Sequence, residues 1–176
     1  PTGSNITITG WTLVATSGTP SIILSGTIPA NGYFLLERTD DTATSIAADQ
    51  TFTGAIANNS PGDSFTLKDQ SNNIIDTANI NGGLWPGGSG SPSYFSMERI
   101  SIGFDADSNW GTNNGVTKNG TDIGSNSING TPKQQNSIYA LPTQTPTFTP
   151  TPTDTLTPSL TSSPTNTSIF SPTPTL

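Results

Sequence analysis

The chain of 176 residues contains no cysteine and no histidine, and these two absences exclude several kinds of chemistry. Without thiols it has neither disulfide bonds nor a cysteine nucleophile. Without imidazole it lacks the most frequent general base near neutral pH, and the usual nitrogen and sulfur ligands of zinc are missing too. The residue inventory therefore predicts a protein that is not an enzyme.

Basic residues and long hydrophobic runs are also scarce. Five Lys and Arg stand against 12 Asp and Glu, which gives a net charge of -7. The molecule as a whole therefore repels phosphate backbones and anionic lipid surfaces. No apolar run approaches the ~20 residues of a membrane span, so we expect no membrane insertion. Nucleic-acid binding is also disfavoured, because the basic residues are scattered along the chain: Arg38, Lys68, Arg99, Lys118 and Lys133.

The C-terminal segment 140–176 differs in composition from the rest. It holds 13 Thr and 8 Pro, and Asp154 is its only charged residue. Frequent prolines remove backbone donors, and too few apolar residues recur to fold onto a core. The segment is therefore predicted to be a disordered Thr/Pro/Ser-rich linker or stalk. Such a stalk is typical of an extracellular or cell-surface protein, although a plain linker between two domains has the same composition.

The body, residues 1–139, reads as one all-β domain. β-Branched and aromatic residues alternate with polar ones in short runs bounded by turn residues, and only Thr42–Gln50 could form a turn or two of helix. Many short strands without intervening helices favour a single antiparallel β-sandwich. The predicted strands are Asn5–Thr9, Trp11–Ala15, Ser21–Ser25, Tyr33–Arg38, Ser64–Lys68, Ile74–Ala78 and Tyr94–Ile102. The predicted core consists of Trp11, Leu13, Ile28, Tyr33, Leu35, Phe65, Leu67, Ile75, Trp85, Ile100 and Trp110.

The order of several short motifs carries a resemblance to a known family. They occur at Gly10–Leu13, Ile28–Leu36, Pro61–Asp69, Ile74–Asp76, Ser96–Arg99, Asn109–Trp110 and Gly130–Asn136. Each motif is weak by itself, but the ordered set resembles the lamin tail domain family, in its bacterial, secreted branch, over nearly the whole body. The resemblance implies an immunoglobulin-like β-sandwich. Trp11, which belongs to the predicted core, is expected to be one of its structural residues.

The sequence departs from that family in two places. Family members begin with a strand just before the position of Pro1, so the domain is expected to be N-terminally incomplete, with an edge or a core groove left open. The segment Gly111–Asn129, rich in Asn and Gly, resembles an inserted loop, and Lys133 stands where the family tends to have glycine.

Asp105, Asp107 and Asn109 place oxygen ligands at alternate positions, as a short loop does when it wraps a calcium ion. The full loop pattern fails, because Trp110 stands where the turn glycine belongs and Val116 where a bidentate glutamate would close the shell. The alternative is a solvated loop that sets Trp110 into the core. Apart from this calcium hypothesis, no cofactor is expected.

Three aspartates bracket a predicted hairpin, so paired carboxylates for acid–base catalysis have to be considered. The spacing of Asp63 and Asp69 suits turn caps, since Asp accepts hydrogen bonds from nearby backbone N–H groups. Asp76 lies within a strand instead. We expect it to form a structural ion pair with Arg99, one of only two arginines.

The glycine-rich stretch 82–92 matches neither a dinucleotide fingerprint nor a phosphate loop. Trp85, together with Tyr94 and Phe95, could form an aromatic platform for a sugar ring or a protein partner. The alternative places Trp85 as a plug at one end of the sandwich.

Together these features predict a non-catalytic extracellular or cell-surface module that mediates protein interaction, adhesion or assembly. An exposed strand edge could accept a strand from the partner. The alternative hypothesis is an accessory domain of a larger secreted hydrolase, which binds polysaccharide or nucleic acid while a catalytic domain lies elsewhere.

Overall fold

Short strands dominate the computed structural model of the chain, which describes residues 3–57 and 62–140. Those residues contain no α-helix and one 3-10 turn at Asp107–Asn109, so the all-β prediction is confirmed. The predicted linker over 140–176 lies, except for Ala140, outside the described residues. The strands are β1 Ile6–Thr7, β2 Thr12–Ala15, β3 Ser21–Ile23, β4 Thr27–Ile28, β5 Leu36–Arg38, β6 Gln50–Phe52, β7 Phe65–Lys68, β8 Ile74–Ala78, β9 Met97–Arg99 and β10 Trp110–Thr112.

The largest sheet is antiparallel and has the order β3-β2-β7-β8. Its centre is β2, where Leu13 lies opposite Ile22 of β3 and Leu67 of β7. The side chain of Leu13 packs against the apolar cluster that contains Ile22. Strand β2 is short and β-branched or apolar throughout, a composition that favours an interior strand.

Three two-stranded ladders complete the regular structure of the described residues. Strands β1 and β4 are antiparallel, as are β9 and β10, whereas β5 and β6 run parallel. The parallel pair departs from the purely antiparallel prediction. Its connection, residues 39–49, is long enough to return the chain to the starting end of the sheet.

That connection contains no helix, although Thr42–Gln50 could have formed a helical turn by composition. Side-chain acceptors take up its backbone N–H groups instead: Ala43 donates to Glu37 at 3.1 Å and Ala48 donates to Asp41 at 2.7 Å. Such local bonds compete with a helical ladder. The segment then enters β6 at Gln50.

The core centres on Ile8, Ile22 and Leu24, which are almost fully buried. Of the predicted core residues, Trp11, Leu13, Ile28 and Leu67 pack against this cluster. Ile75 was wrongly predicted to be buried, since it is 47% exposed. The pairing of β7 with β8 skips Ile75, which is therefore the extra residue of a β-bulge on an edge strand.

Candidate binding cleft

A cleft of about 640 Å³ opens between β5 and β9, above β2 and β7 of the large sheet. Its lining is mostly apolar and includes Leu13, Ile22, Leu36, Phe52, Phe65 and Met97. Two glutamates, Glu37 and Glu98, also line it. The volume lies within the range of ligand-binding sites in proteins, and the mixture of an apolar wall with a few polar groups is typical of such sites.

The cleft borders the edges of both strands. Leu36 and Glu37 are neighbours whose side chains point to opposite faces of β5, and both line the cleft. The same holds for Met97 and Glu98 on β9. A cavity that is reached from both faces of a strand lies beside the strand's edge, so the cleft is a gap between two strand edges.

The edge of β5 that faces away from β6 carries unpaired N–H groups. The amide of Thr39 donates to the carbonyl of Phe52 on β6 at 2.7 Å. Because backbone groups alternate sides along an extended strand, the N–H groups of Leu36 and Arg38 point to the opposite edge. Neither group has a hydrogen-bond partner in the described part of the chain.

The edge of β9 that faces away from β10 is similar. On the paired side, the carbonyl of Ser96 accepts from the amide of Asn113 at 3.0 Å. The backbone groups of Met97 and Arg99 therefore point away from β10. The carbonyl of Arg99 accepts from the Nδ2 of Asn136 at 2.9 Å, whereas the amide of Met97 has no partner among residues 3–57 and 62–140.

Glu98 is 3% exposed and keeps its charge by hydrogen bonds alone. Its Oε1 accepts from Asn113 at 2.7 Å and from Thr131 at 2.9 Å, and Ser96 donates to the same atom at 3.2 Å. Its Oε2 accepts from the backbone N–H of Ser137 at 2.7 Å and from its Oγ at 2.6 Å. Burial alone would raise the pKa of Glu98, but these donors outweigh it and lower the pKa.

Glu37 is equally buried, at 3% exposed, but is far less well bonded. Its Oε2 accepts from the amide of Ala43 at 3.1 Å. Its Oε1 is buried and has no hydrogen-bond partner among the residues that the structure describes. Burying a carboxylate oxygen without a hydrogen-bond donor costs free energy, so a donor to this atom would stabilise the cleft.

An ion pair joins the C-terminal segment 131–137 to the residue that precedes β6. Lys133 Nζ lies 2.9 Å from Asp49 Oδ1, and Asp49 Oδ2 accepts from the amide of Leu35 at 2.6 Å. Thr131 and Pro132, just before the lysine, line the cleft. The segment over 131–137 therefore links the β5 side to Glu98 on β9.

The predicted ion pair between Asp76 and Arg99 is present. Arg99 Nη1 donates to Asp76, and the guanidinium lies over the ring of Trp110 at 5.0 Å from its centroid. The Asp76 side chain is 48% exposed, so the pair lies at the edge of the sandwich. Arg99 Nε and Nη2 are buried without hydrogen-bond partners in the described part of the chain, and the guanidinium makes the cation–π contact instead.

The residues of the calcium hypothesis have separate hydrogen-bond partners. Asp105 accepts from Trp110 Nε1 at 2.7 Å and from the amide of Ile80 at 2.8 Å. Asp107 accepts from an Asn side chain at 3.0 Å, and Asn109 bonds with Ser101 through both its amide atoms. Burial would raise the pKa of Asp105, but its donors lower it overall. Within residues 3–57 and 62–140, no group of three acidic, histidine or cysteine side chains is arranged to hold a metal ion.

The three residues of the proposed aromatic platform have different surroundings. Trp85 stacks on Phe65, with ring centroids 6.1 Å apart, and its Nε1 donates to the carbonyl of Ala57 at 2.8 Å. Tyr94 is 68% exposed, whereas Phe95 is half-buried. No ring contact joins Trp85 to the other two in the described part of the chain.

The predicted turn caps are present at both aspartates. Asp69 accepts from the amides of Ser71 at 2.8 Å and Asn73 at 2.9 Å. Asp63 is 6% exposed and accepts from the amide of Ser64 at 2.8 Å, and also from Ser17, which is 46 positions away in the chain. Burial would raise the pKa of Asp63, but these hydrogen bonds lower it.

Sequence reasoning did not identify Glu37 and Glu98 as residues of interest. Each is a carboxylate that follows apolar and aromatic residues and precedes an arginine, in the runs 34–38 and 94–100. Since a carboxylate in a core strand needs dedicated donors, this local inconsistency was the available signal. The donors themselves are 33 and 39 positions away, at Thr131 and Ser137, and could not be paired with Glu98 from the sequence.

Comparison of the chain with family models, with curated proteins and with solved structures gave no match. Over residues 3–57 and 62–140 the structure holds no helix with the length and apolar content that a membrane span requires.

Proposed function

We propose that this chain is a non-catalytic module of the lamin tail type that binds a partner protein by accepting one of its strands into the cleft. The observation that carries the proposal is the position of the cleft between two strand edges with unpaired N–H groups, at Leu36 and Arg38 on one side and Met97 on the other. An added strand would give these groups partners and would cover the apolar floor. Such strand addition is an established mode of peptide recognition.

The geometry of the two cleft glutamates supports a binding role over a catalytic one. A carboxyl pair in a hydrolase needs one carboxylate with a free oxygen that can accept a proton or attack the substrate. Hydrogen bonds occupy both oxygens of Glu98 and lower its pKa, so this carboxylate has no free lone pair toward the cleft for either role. The chain has no histidine or cysteine that could take over the role.

An extracellular or cell-surface location completes the proposal. It is based on the Thr- and Pro-rich composition of residues 140–176, which suits a spacer that holds a binding domain away from a surface. A protein partner fits better than nucleic acid, because the net charge of -7 repels phosphate.

Strand addition can be tested with an extended probe peptide. The probe is a seven-residue peptide of alternating valine and threonine, titrated into the isotope-labelled full chain while amide exchange is followed by NMR. We expect the amides of Leu36, Arg38 and Met97 to gain protection from exchange. Unchanged exchange of all three at millimolar peptide would contradict the proposal.

A pair of variants isolates the backbone contribution. Arg38→Pro removes the N–H that faces the cleft, while the bonds to β6 and the core side chains remain. We expect it to weaken peptide binding by about five- to tenfold, the value of one hydrogen bond of about 1 kcal/mol. Arg38→Ala keeps the N–H and serves as the matched control. Equal binding by the two variants would show that the edge is not used.

A second function, an accessory polysaccharide-binding domain, is favoured by one observation. Tyr94 is 68% exposed next to the glycine-rich stretch, where an aromatic ring can stack on a sugar. Pull-down on insoluble polysaccharides with the wild-type chain, Tyr94→Ala and Trp85→Ala tests it. Retention of the wild type and loss in Tyr94→Ala would support this function.

A further inference from the structure

Side chains alternate along β5 and β9, the two strands that border the cleft. This alternation determines which of their side chains point toward the core and which point to the outer face. Leu36 packs into the core, so the next residue, Glu37, points to the outer face of β5. Arg99 packs over Trp110 and pairs with Asp76 of the large sheet, so Glu98, its neighbour, points to the outer face of β9. Both buried carboxylates therefore lie on the same outer side of the gap.

A strand in the gap would present two different faces. Its inward side chains would meet the apolar floor formed by Leu13, Ile22 and Phe65. Its outward side chains would lie beside Glu37, because directly opposed residues on neighbouring strands have Cβ atoms ~5 Å apart. The inward positions of the partner strand therefore favour apolar residues, and the outward position beside Glu37 favours a polar one.

The two carboxylates differ in how many hydrogen bonds they accept from the protein. Glu98 already receives hydrogen bonds at both oxygens from four residues of its own chain. Glu37 lines the cleft and is 3% exposed, and one of its oxygens has no hydrogen-bond partner within residues 3–57 and 62–140. An incoming strand can satisfy that oxygen only with a side chain that donates a hydrogen bond.

We infer that the cleft selects an extended partner strand with apolar residues at alternate inward positions and a hydrogen-bond donor, with ammonium the strongest, at the outward position opposite Glu37. This inference rests on the proposed function. The charge of the chain favours the same choice, since 12 acidic against 5 basic residues attract a cationic segment. A free apolar ligand would fill the floor but leave Glu37 unpartnered.

The test uses four versions of the valine–threonine probe that differ only at the central outward position: lysine, glutamine, methionine and glutamate. Dissociation constants are measured by calorimetry with the full chain. We expect the lysine probe to bind on the order of tenfold more tightly than the methionine probe, because only lysine can donate a hydrogen bond to the carboxylate. Glutamine should lie between them, and the glutamate probe should bind most weakly.

Two protein variants assign the preference to one residue. In Glu37→Gln the advantage of lysine over methionine should fall below about threefold, because the charge is gone and the new amide is itself a donor. Asp107→Asn changes the net charge by the same amount on an exposed loop and should keep the tenfold advantage. The amide spectrum of each variant, compared with the wild type, reports whether the fold is retained.

The outcomes separate this inference from the proposed function. Equal binding of all four probes, with protection of the Leu36 and Met97 amides, would overturn the donor requirement and leave strand addition intact. A lysine advantage that persists in Glu37→Gln would also overturn it. Absence of protection with every probe would overturn both. Dimerisation of the chain that protects the same amides without a probe would identify a second copy of the chain as the occupant. That result would overturn the inference that a separate partner protein supplies the strand.

Discussion

The carboxylate of Glu98 accepts two hydrogen bonds from a single residue, Ser137, at 2.7 Å from its backbone N–H and at 2.6 Å from its Oγ. This pair fixes the closing segment of the domain to the middle of β9. Since Glu98 is buried and has no cationic partner among its contacts, its charge depends on neutral donors from three separate parts of the chain. Several properties of the protein should depend on this residue.

Stability should fall in acid because of Glu98. Its pKa is lowered in the folded protein relative to the ordinary glutamate value of about 4.3. A lowered folded pKa contributes stability that is present above that ordinary value and is lost as pH falls through the folded pKa. Asp63 and Asp105, also lowered, act in the same direction. Urea unfolding at pH 7, 5, 4 and 3 should give a constant free energy above about pH 5 and a steady loss below it. A free energy that rises toward pH 3 would contradict the assignment.

Glu98→Gln should destabilise the protein at neutral pH. The new amide has one acceptor oxygen, so one group of donors, from Asn113 and Thr131 or from Ser137, would face its NH2. Each buried donor left without an acceptor costs about 1–3 kcal/mol, and we expect a loss of at least about 2 kcal/mol in urea unfolding. The variant should also show a shallower loss of stability in acid than the wild type. Asp107→Asn, which also removes one negative charge but at an exposed residue, serves as the control for handling and charge.

Gly62→Ala should be among the most damaging glycine substitutions. Gly62 has φ of +82°, and a Cβ added to it would lie 2.0 Å from the carbonyl oxygen of Gly83. Gly83→Ala is a matched control, because φ is +86° there but no atom lies within 4 Å of the added Cβ. We expect about 1–2 kcal/mol for Gly83→Ala from the left-handed backbone alone, and about 1–3 kcal/mol more for Gly62→Ala. Gly90→Ala has neither feature and should be neutral. Equal melting temperatures for all three variants would contradict the close approach.

The Asp76–Arg99 pair should contribute only weakly. The Asp76 side chain is 48% exposed, so solvent screens its attraction to the guanidinium. A double-mutant cycle with Asp76→Ala and Arg99→Met should give a coupling of about 0.5–1 kcal/mol that shrinks at about 1 M salt. Arg99→Met alone should cost little, since the arginine also has two buried nitrogens without partners. A coupling above about 3 kcal/mol, insensitive to salt, would show a far more buried pair than the geometry indicates.

Calcium should not stabilise the loop around Asp105. Both oxygens of Asp105 already accept protein hydrogen bonds, and Asn109 uses its Oδ1 to accept from Ser101. Calcium binding would have to replace these donors, so we expect neither heat in calorimetry nor a rise in melting temperature at millimolar calcium. Asp107→Asn should behave like the wild type in this assay. A saturable rise in melting temperature with calcium that is lost in Asp107→Asn would contradict this prediction and support the calcium hypothesis.

Local sequence features predicted much of the fold. The strands β2, β7 and β8 are rich in β-branched and apolar residues between clear turn residues, and all three were located correctly. The Asp69 cap and the Asp76–Arg99 pair also followed from residue type and position. These features depend on neighbours within the sequence or on the scarcity of a residue type, and both are visible without a structure.

Features that depend on distant neighbours could not be predicted in this way. Strand β6 has only three residues, and its parallel pairing with β5 depends on tertiary packing. Ile75 was assigned to the core because the period-2 pattern conceals a one-residue bulge, which shifts side chains to the other face. The cleft arises because β5 and β9 lie apart in space. The distance between two strands that are far apart in the sequence is not determined by the local pattern of either one.

The long-range pairing of β2 has a consequence for how fast the chain can fold. Ala15 lies opposite Phe65 in the ladder to β7, so the central strand of the large sheet must wait for a segment that is synthesised much later. The bond from Ser137 to Glu98 closes another long loop. Chains dominated by such distant contacts fold in milliseconds to seconds, because loop closure costs entropy before any contact forms. During that interval the apolar side chains of β2 and β7 are exposed to other chains, so we expect the nascent domain to need protection from aggregation until residue 137 is in place.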